Sequence, residues 1–242
     1  MNLLEAIQVR SSRRTYLETP IAEDKRRQLE DMIHTMNEQG GLCLKLIQDE
    51  PTAFGKLLRS YGMFKGVRNY IILIGKTEKD MRERVGYYGE KLVLAATQMG
   101  LGTCWVGGTF DRSPVETHVK EGETFCGVIT IGNIESDKSF MERLITKVTH
   151  RKTKPVSEMM ESDGEVPEWF LAGMAAVQKA PSAVNAQPVV FTYKKGIVSA
   201  HVTAEKYGHE KTDLGIAKLH FEIGAGGGSW DLKDGGVFTR EA

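Results

Sequence analysis

The sequence predicts an α+β protein with helices flanking a sheet and a second half that partly repeats the first. Three observations carry this. Short β-branched apolar runs occur at Tyr70–Gly75 and Gly127–Gly132. Longer segments at 22–37 and 79–99 place apolar residues on a helical period. A glycine-terminated helix followed by a tryptophan occurs twice. With 242 residues the chain is long enough to bury a substantial core, as one large domain or two intimate halves.

Taken in order, Asn2 is suited to cap a first helix, with Glu5 three residues on and Leu4, Ala6 and Ile7 as its buried side. That helix ends in the basic, hydroxyl-rich turn Arg10-Ser11-Ser12-Arg13-Arg14-Thr15-Tyr16. A second helix spans Ala22 to Asn37, with Leu29, Met32, Ile33 and Met36 on one face, and Gly40-Gly41 stops it. Tyr70–Gly75 reads as a strand covered on both faces. From Lys79 to Met99, the residues Val85, Tyr88, Leu92, Ala95, Ala96 and Met99 predict a helix, and Gly100 suits the left-handed cap that ends it. Cys104-Trp105-Val106-Gly107-Gly108 follows, then a strand at Gly127–Gly132. A polar connector runs through Lys154, Pro155 and Asp163-Gly164, and Pro167 starts a helix over Phe170–Val177 from a first-turn position.

The repeat is visible when Gly215 is set against Lys91. Ile216 then falls on Leu92, Leu219 on Ala95, Ile223 on Met99, and Gly224 and Gly226 on Gly100 and Gly102, with Trp105 and Trp230 beyond. Any two amphipathic helices align partly when their caps are superposed; the shared order of elements favours duplication. The halves are 1–162 and 163–242.

Composition excludes several functions. With 32 basic and 32 acidic residues the formal charge is zero, so no global field attracts nucleic acid or an anionic membrane. Cys43, Cys104 and Cys126 are odd in number and widely spaced, as reduced thiols of a cytoplasmic protein would be. The histidines lack metal-ligand spacing, so no metal site is expected. No apolar run reaches about 18 residues, so neither a spanning helix nor a visible secretion signal is expected.

Two segments carry chemistry. Arg10, Ser11, Ser12 and Arg14 combine cationic forks with hydroxyl donors, a set suited to a terminal phosphate. The same residues suit a solvated basic turn at a helix end, where cations complement the dipole. In Ala180-Pro181-Ser182-Ala183-Val184-Asn185-Ala186-Gln187-Pro188, two prolines restrict the backbone. Ser182, Asn185 and Gln187 there offer groups that donate and accept, as the edge of a flat heteroaromatic ring requires. A plain polar loop uses them for its own turns.

Together these segments resemble the FMN-dependent nitroreductase family. Arg10–Tyr16 is similar to its opening motif and Ala180–Pro188 to its Pro-Ser-x-x-Asn motif. Gly100–Gly108 and the pair formed by Ile131-Gly132 and His150-Arg151-Lys152 are similar to two more. The resemblance spans nearly the whole chain and implies a nitroreductase-like fold with a central, mostly antiparallel sheet. One departure is large: ordinary members carry the Pro-Ser motif soon after the opening motif, where this chain has Gly40-Gly41-Leu42-Cys43. Ordinary members are intertwined dimers that share FMN between subunits. The chain therefore resembles a fused pseudo-dimer of the two-half nitroreductases, for which a monomer suffices.

The resemblance implies an FMN-dependent oxidoreductase passing hydride from NAD(P)H through flavin N5 to a small acceptor such as a nitroaromatic or quinone. Arg10, Ser11, Ser12 and Arg14, helped by Arg151 or Lys152, would hold the phosphate and ribityl chain. Pro181, Ser182 and Asn185 would lie against the ring, and Gly107 and Gly108 would bring backbone N–H groups near N5. No side chain is required as acid or base, because the cofactor carries the electron chemistry. The alternative implied is an FMN-binding storage or sensing protein without turnover.

Overall fold

The computed structural model describes residues 1–55, 63–140, 142–144 and 152–240. They fall into two compact units that interleave along the chain. One is Met1–Gln8, Arg82–Lys91 and Arg151–Ala242; the other is Val9–Met81 and Leu92–His150. The helices are α1 Leu3–Val9, α2 Glu23–Gly40, α3 Thr52–Gly55, α4 Met81–Gln98, α5 Ser113–Glu116, α6 Glu168–Val177 and α7 Glu210–Gly224. The strands are β1 Lys45–Ile47, β2 Asn69–Lys76, β3 Gly102–Val106, β4 Glu123–Gly132, β5 Met160–Ser162, β6 Val189–Lys194, β7 Ile197–Val202, β8 Ser229–Trp230 and β9 Val237–Thr239.

The unit containing 9–81 carries an antiparallel sheet of order β1-β2-β4-β3. From Tyr70 to Gly75 every residue of β2 is buried, as its continuous apolar run predicts. Ile72 and Ile74 pack with Cys104, Val106 and Val128, beneath the stacked rings of Phe54 and Phe110, whose centroids lie 5.7 Å apart. The β2–β4 register slips between Leu73 and Ile74, opposite Gly127. Gly127 has φ +139°, and an added Cβ there would meet the Val106 carbonyl at 2.9 Å, so the bulge requires glycine. On α2, Leu29, Ile33 and Met36 are buried; the helix continues to Gly40, and Gly41 at φ 59° returns its N–H to the Asn37 carbonyl.

The unit containing 151–242 carries a sheet of order β5-β6-β7-β9-β8, in which only β5–β6 is parallel. The polar connector therefore includes a strand, β5. Pro167 is the N-cap of α6 rather than a first-turn residue. Asn2 and Glu5 cap α1 reciprocally, each accepting the other's N–H. Of the three residues expected on its buried side, Ala6 and Ile7 are buried and Leu4 is 48 % exposed. α6 and α7 meet through glycine: an added Cβ at Gly173 would strike the Phe221 ring at 2.7 Å. The rings of Trp169, Phe170, Phe191, Phe221, Trp230 and Phe238 fill the adjoining core. Residues 82–91 of α4 touch α7 backbone to backbone. A Cβ on Gly86 would lie 2.0 Å from the Thr212 carbonyl oxygen, and one on Gly215 would lie 1.9 Å from that of Glu83.

Candidate functional site

The basic turn is built along β3. Ser12 bridges Thr103 in parallel, and the Arg13 N–H donates to the Thr103 carbonyl at 2.8 Å. Tyr16 ends the turn: its N–H donates to the Lys65 carbonyl at 2.9 Å, and its buried hydroxyl donates to the Arg13 carbonyl and pairs with Thr130 Oγ1, each at 2.7 Å. Gly102 admits this close approach, because a Cβ there would sit 3.0 Å from Arg13 Cβ. Arg10, Ser11, Ser12 and Arg14 are each half-buried. Ser12 hydrogen-bonds the Cys104 thiol of β3, on which the charges of Arg14 and Arg10 also act. Burial raises its pKa, while the charge of Arg14, a hydrogen bond with Ser12 and the charge of Arg10 each pull it back. Gly107 and Gly108 form the bend that follows β3. A Cβ at Gly108 would meet nothing within 4 Å, so the space at that residue is open. From Thr103 to Gly107 the strand rises about 13 Å, enough to separate a phosphate end from a ring end.

The Pro181–Gln187 loop lies in the other unit. Ala183–Asn185 forms one 3-10 turn in which Val184 and Asn185 have φ of 49° and 52°, and Gln187 follows at 46°. Positive φ at three side-chain-bearing residues, one of them β-branched, is costly and persists only where surrounding bonds impose it. Those bonds are present. The Asp213 carboxylate accepts the Ala183 N–H at 3.1 Å, and Ser182 Oγ accepts the Gln187 N–H at 3.0 Å. Gln187 Oε1 accepts the Lys154 N–H at 2.8 Å, and Lys154 Nζ donates to the Gln187 carbonyl at 2.9 Å. Gln187 is thus buried and faces inward, so its amide serves the loop rather than a ligand edge. Pro181, Ser182, Gln187 and Asp213 line a small recess with Met159 and Ala217. Burial pushes the Asp213 pKa up to about 7; the Ala183 N–H opposes this and Glu210 adds to it. Lys152 is exposed, and Arg151 lies outside the described residues.

Residues 2–225 match the sequence family described as "Putative TM nitroreductase". The chain belongs to this nitroreductase family. Its fold is shared with a solved "putative nitroreductase" from Thermotoga maritima MSB8, at 23 % identity and a TM-score of 0.67, covering 98 % of this chain and 92 % of that one. Partial likeness extends to a structure from Clostridium difficile R20291 named "FMN-dependent Nitroreductase", at 15 % identity and a TM-score of 0.46, covering 57 % of this chain and 91 % of that one. A Parabacteroides distasonis structure named "Putative NADH dehydrogenase/NAD(P)H nitroreductase" matches at 18 % identity and a TM-score of 0.48, over 68 % of this chain and 100 % of that one. No curated protein matches the sequence.

In this member of the family the Arg10–Tyr16 turn lies alongside β3 and the Gly107–Gly108 bend follows the same strand, while the Pro181–Gln187 segment forms one strained, pinned loop. Sequence reasoning passed over Arg13, Glu142 and Asp213. Glu142 had a local signal in the spacing Ser139-x-x-Glu142, a reciprocal capping pair that the structure forms. Asp213 had none, because its partner Ala183 is 30 residues away. Among the described residues no cluster could hold a metal ion, and no helix is long and apolar enough to cross a membrane.

Proposed function

We propose that this nitroreductase is an FMN-dependent oxidoreductase that takes hydride from NAD(P)H and delivers it to a small oxidised acceptor such as a nitroaromatic or quinone. The observation that carries the reading is the half-buried turn of Arg10, Ser12 and Arg14, held alongside β3 by the Ser12–Thr103 bridge, with Gly108 open just beyond the end of that strand. Two cationic forks and a hydroxyl match the charge and acceptor oxygens of a phosphomonoester. The residues therefore fit FMN. When bound, FMN supplies the two-electron chemistry between nicotinamide and acceptor.

Arg10, Ser11, Ser12 and Arg14 hold the phosphate end, with Arg151 or Lys152 adding charge. Gly107 and Gly108 are assigned to the ring end, where the open space at Gly108 lets a ring approach backbone N–H groups. Pro181, Ser182 and Asn185 are assigned to the ring on the strength of the family motif, and the strain in their loop supports a role other than connection. Residues 1–162 and 163–242 are read as two nitroreductase-like halves on the strength of the sequence repeat; the reciprocal approach of Gly86 to Thr212 and of Gly215 to Glu83 sets Gly215 against Gly86, five residues away from the Lys91 register of that repeat.

The test is FMN titration of the purified protein, followed by anaerobic NADH or NADPH addition while the flavin absorbance is followed. One FMN per chain and bleaching by a nicotinamide are expected. Binding without bleaching would point to flavin storage or sensing instead, and no binding would overturn the assignment.

A further inference from the structure

Glu142 stands behind the basic turn with its carboxylate saturated by donors. Oε1 accepts the Arg14 N–H at 2.6 Å, the Thr15 N–H at 3.1 Å and Arg13 Nε at 3.2 Å, and Oε2 accepts the Ser139 N–H at 2.8 Å. Arg13 closes the clasp from the other side, where its Nη2 donates to the carbonyls of Glu135 at 2.9 Å and Asp137 at 3.1 Å. Thr15 Oγ1 and Ser139 Oγ add a hydrogen bond of 3.0 Å. The Arg13 and Glu142 side chains are only 7 % and 1 % exposed. Burial alone would raise the Glu142 pKa, but the N–H groups of Arg14, Ser139 and Thr15, with the Arg13 charge, hold it below the usual carboxylate value.

A carboxylate beside a turn that takes up an anion is unfavourable on Coulomb grounds. Its geometric effect has the opposite sign. By engaging the backbone donors of residues 14 and 15, while Thr103 engages the Arg13 N–H with its carbonyl, Glu142 fixes the path of the chain between Ser12 and Tyr16. The anion is then left to side chains, whose placement alongside β3 depends on that path. We propose that Glu142, clamped by Arg13, is a positioning residue for phosphate recognition: it sets the Arg10–Arg14 turn so that Arg10, Ser12 and Arg14 act on one phosphomonoester. This rests on the assignment of FMN to that turn.

Two variants separate geometry from charge. Glu142→Asp keeps the charge and loses one methylene of reach; Glu142→Gln keeps the reach, loses the charge and turns one acceptor into a donor. The measurements are FMN affinity by fluorescence titration and the 31P resonance of the bound phosphate, on protein shown by thermal melting to unfold cooperatively. Positioning predicts that both variants bind FMN roughly ten-fold more weakly or worse, the effect of impairing about one charge-assisted contact, with the 31P shift moved toward that of free FMN. Tighter binding by Glu142→Gln with unchanged binding by Glu142→Asp would show a purely Coulombic influence and overturn the proposal. So would parental affinity and 31P shift in both variants. If one variant fails to fold, the other decides by the same two readouts. Should the unmodified protein take up no FMN, the functional assignment fails and this inference with it; binding by the parent with no effect in either variant removes this inference alone.

Discussion

Lys218 Nζ lies 2.6 Å from Glu83 Oε1, with the two side chains 0 % and 2 % exposed. The ammonium also donates to the carbonyls of Lys233 at 2.8 Å and Asp231 at 3.2 Å, and it sits 5.0 Å from the Trp230 ring centroid. Burial draws the Lys218 pKa down, and Glu83 opposes that shift. Removing one partner of such a pair leaves a buried charge uncompensated, which costs more than the pair itself contributes. Lys218→Met is therefore expected to lower stability by about 3–5 kcal/mol in urea unfolding, and Glu83→Leu combined with it to recover much of that loss. A double variant no more stable than Lys218→Met alone would show that the pair's net contribution exceeds the cost of desolvating it.

Gly215 makes a sharper steric claim. The atom facing it at 1.9 Å from an added Cβ is the Glu83 carbonyl oxygen, which is backbone and cannot rotate aside. Gly215→Ala should lower stability by about 3 kcal/mol, the upper range of overpacking costs, whereas Gly108→Ala, with nothing in reach, should change it by less than about 0.5 kcal/mol. Equal unfolding midpoints for the two variants would contradict the close helix approach.

Asp213 predicts a pH dependence. Its pKa of about 7 in the folded protein lies above the ordinary carboxylate value, so the folded state holds the proton more firmly than the unfolded chain. Stability associated with this group is fully retained below about pH 4 and falls as pH rises to about 7, by an amount on the order of 4 kcal/mol. Asn accepts the Ala183 N–H without ionising, so Asp213→Asn should gain stability relative to the parent between pH 5 and pH 8. Glu210, which raises the Asp213 pKa, stays in place in that comparison. An offset between variant and parent that is the same at both pH values would assign Asp213 an ordinary pKa.

Arg14 and Arg10 provide the direct check on the phosphate turn. Each alanine variant is expected to weaken FMN binding by about 1.5–3 kcal/mol, the range of a charge-assisted contact, with little change in the melting temperature because both sit on a half-buried turn. Unchanged affinity in both variants would remove the turn from the cofactor site.

Features that depend on neighbouring residues were legible in the sequence. The apolar run at 70–75 forms a buried strand, the face Leu29, Ile33, Met36 is buried, Gly41 and Gly100 adopt positive φ after their helices, and Asn2 and Glu5 cap each other. Each is decided by chain geometry within a few positions, so residue type and spacing suffice. The basic turn and the Pro-Ser loop were legible as sets of groups for the same reason.

What those groups do to one another was decided by tertiary structure. Arg13 and Glu142 are 129 residues apart, and Asp213 is 30 from the N–H it accepts; neither pairing leaves a periodic trace. Gln187 reads as a ligand-facing amide until its partners Lys154 and Gln178 are in place. Leu4 fits the apolar pattern of α1 yet remains exposed, because a pattern marks which face is apolar and not how much of it is covered. The interleaving of the two units, with 82–91 grouped with 151–242, likewise depends on contacts such as Gly215 against Glu83. Local sequence determines the elements through backbone sterics and hydrogen bonding over a few residues; long-range packing then determines which polar groups are satisfied from within and which are left to meet a ligand.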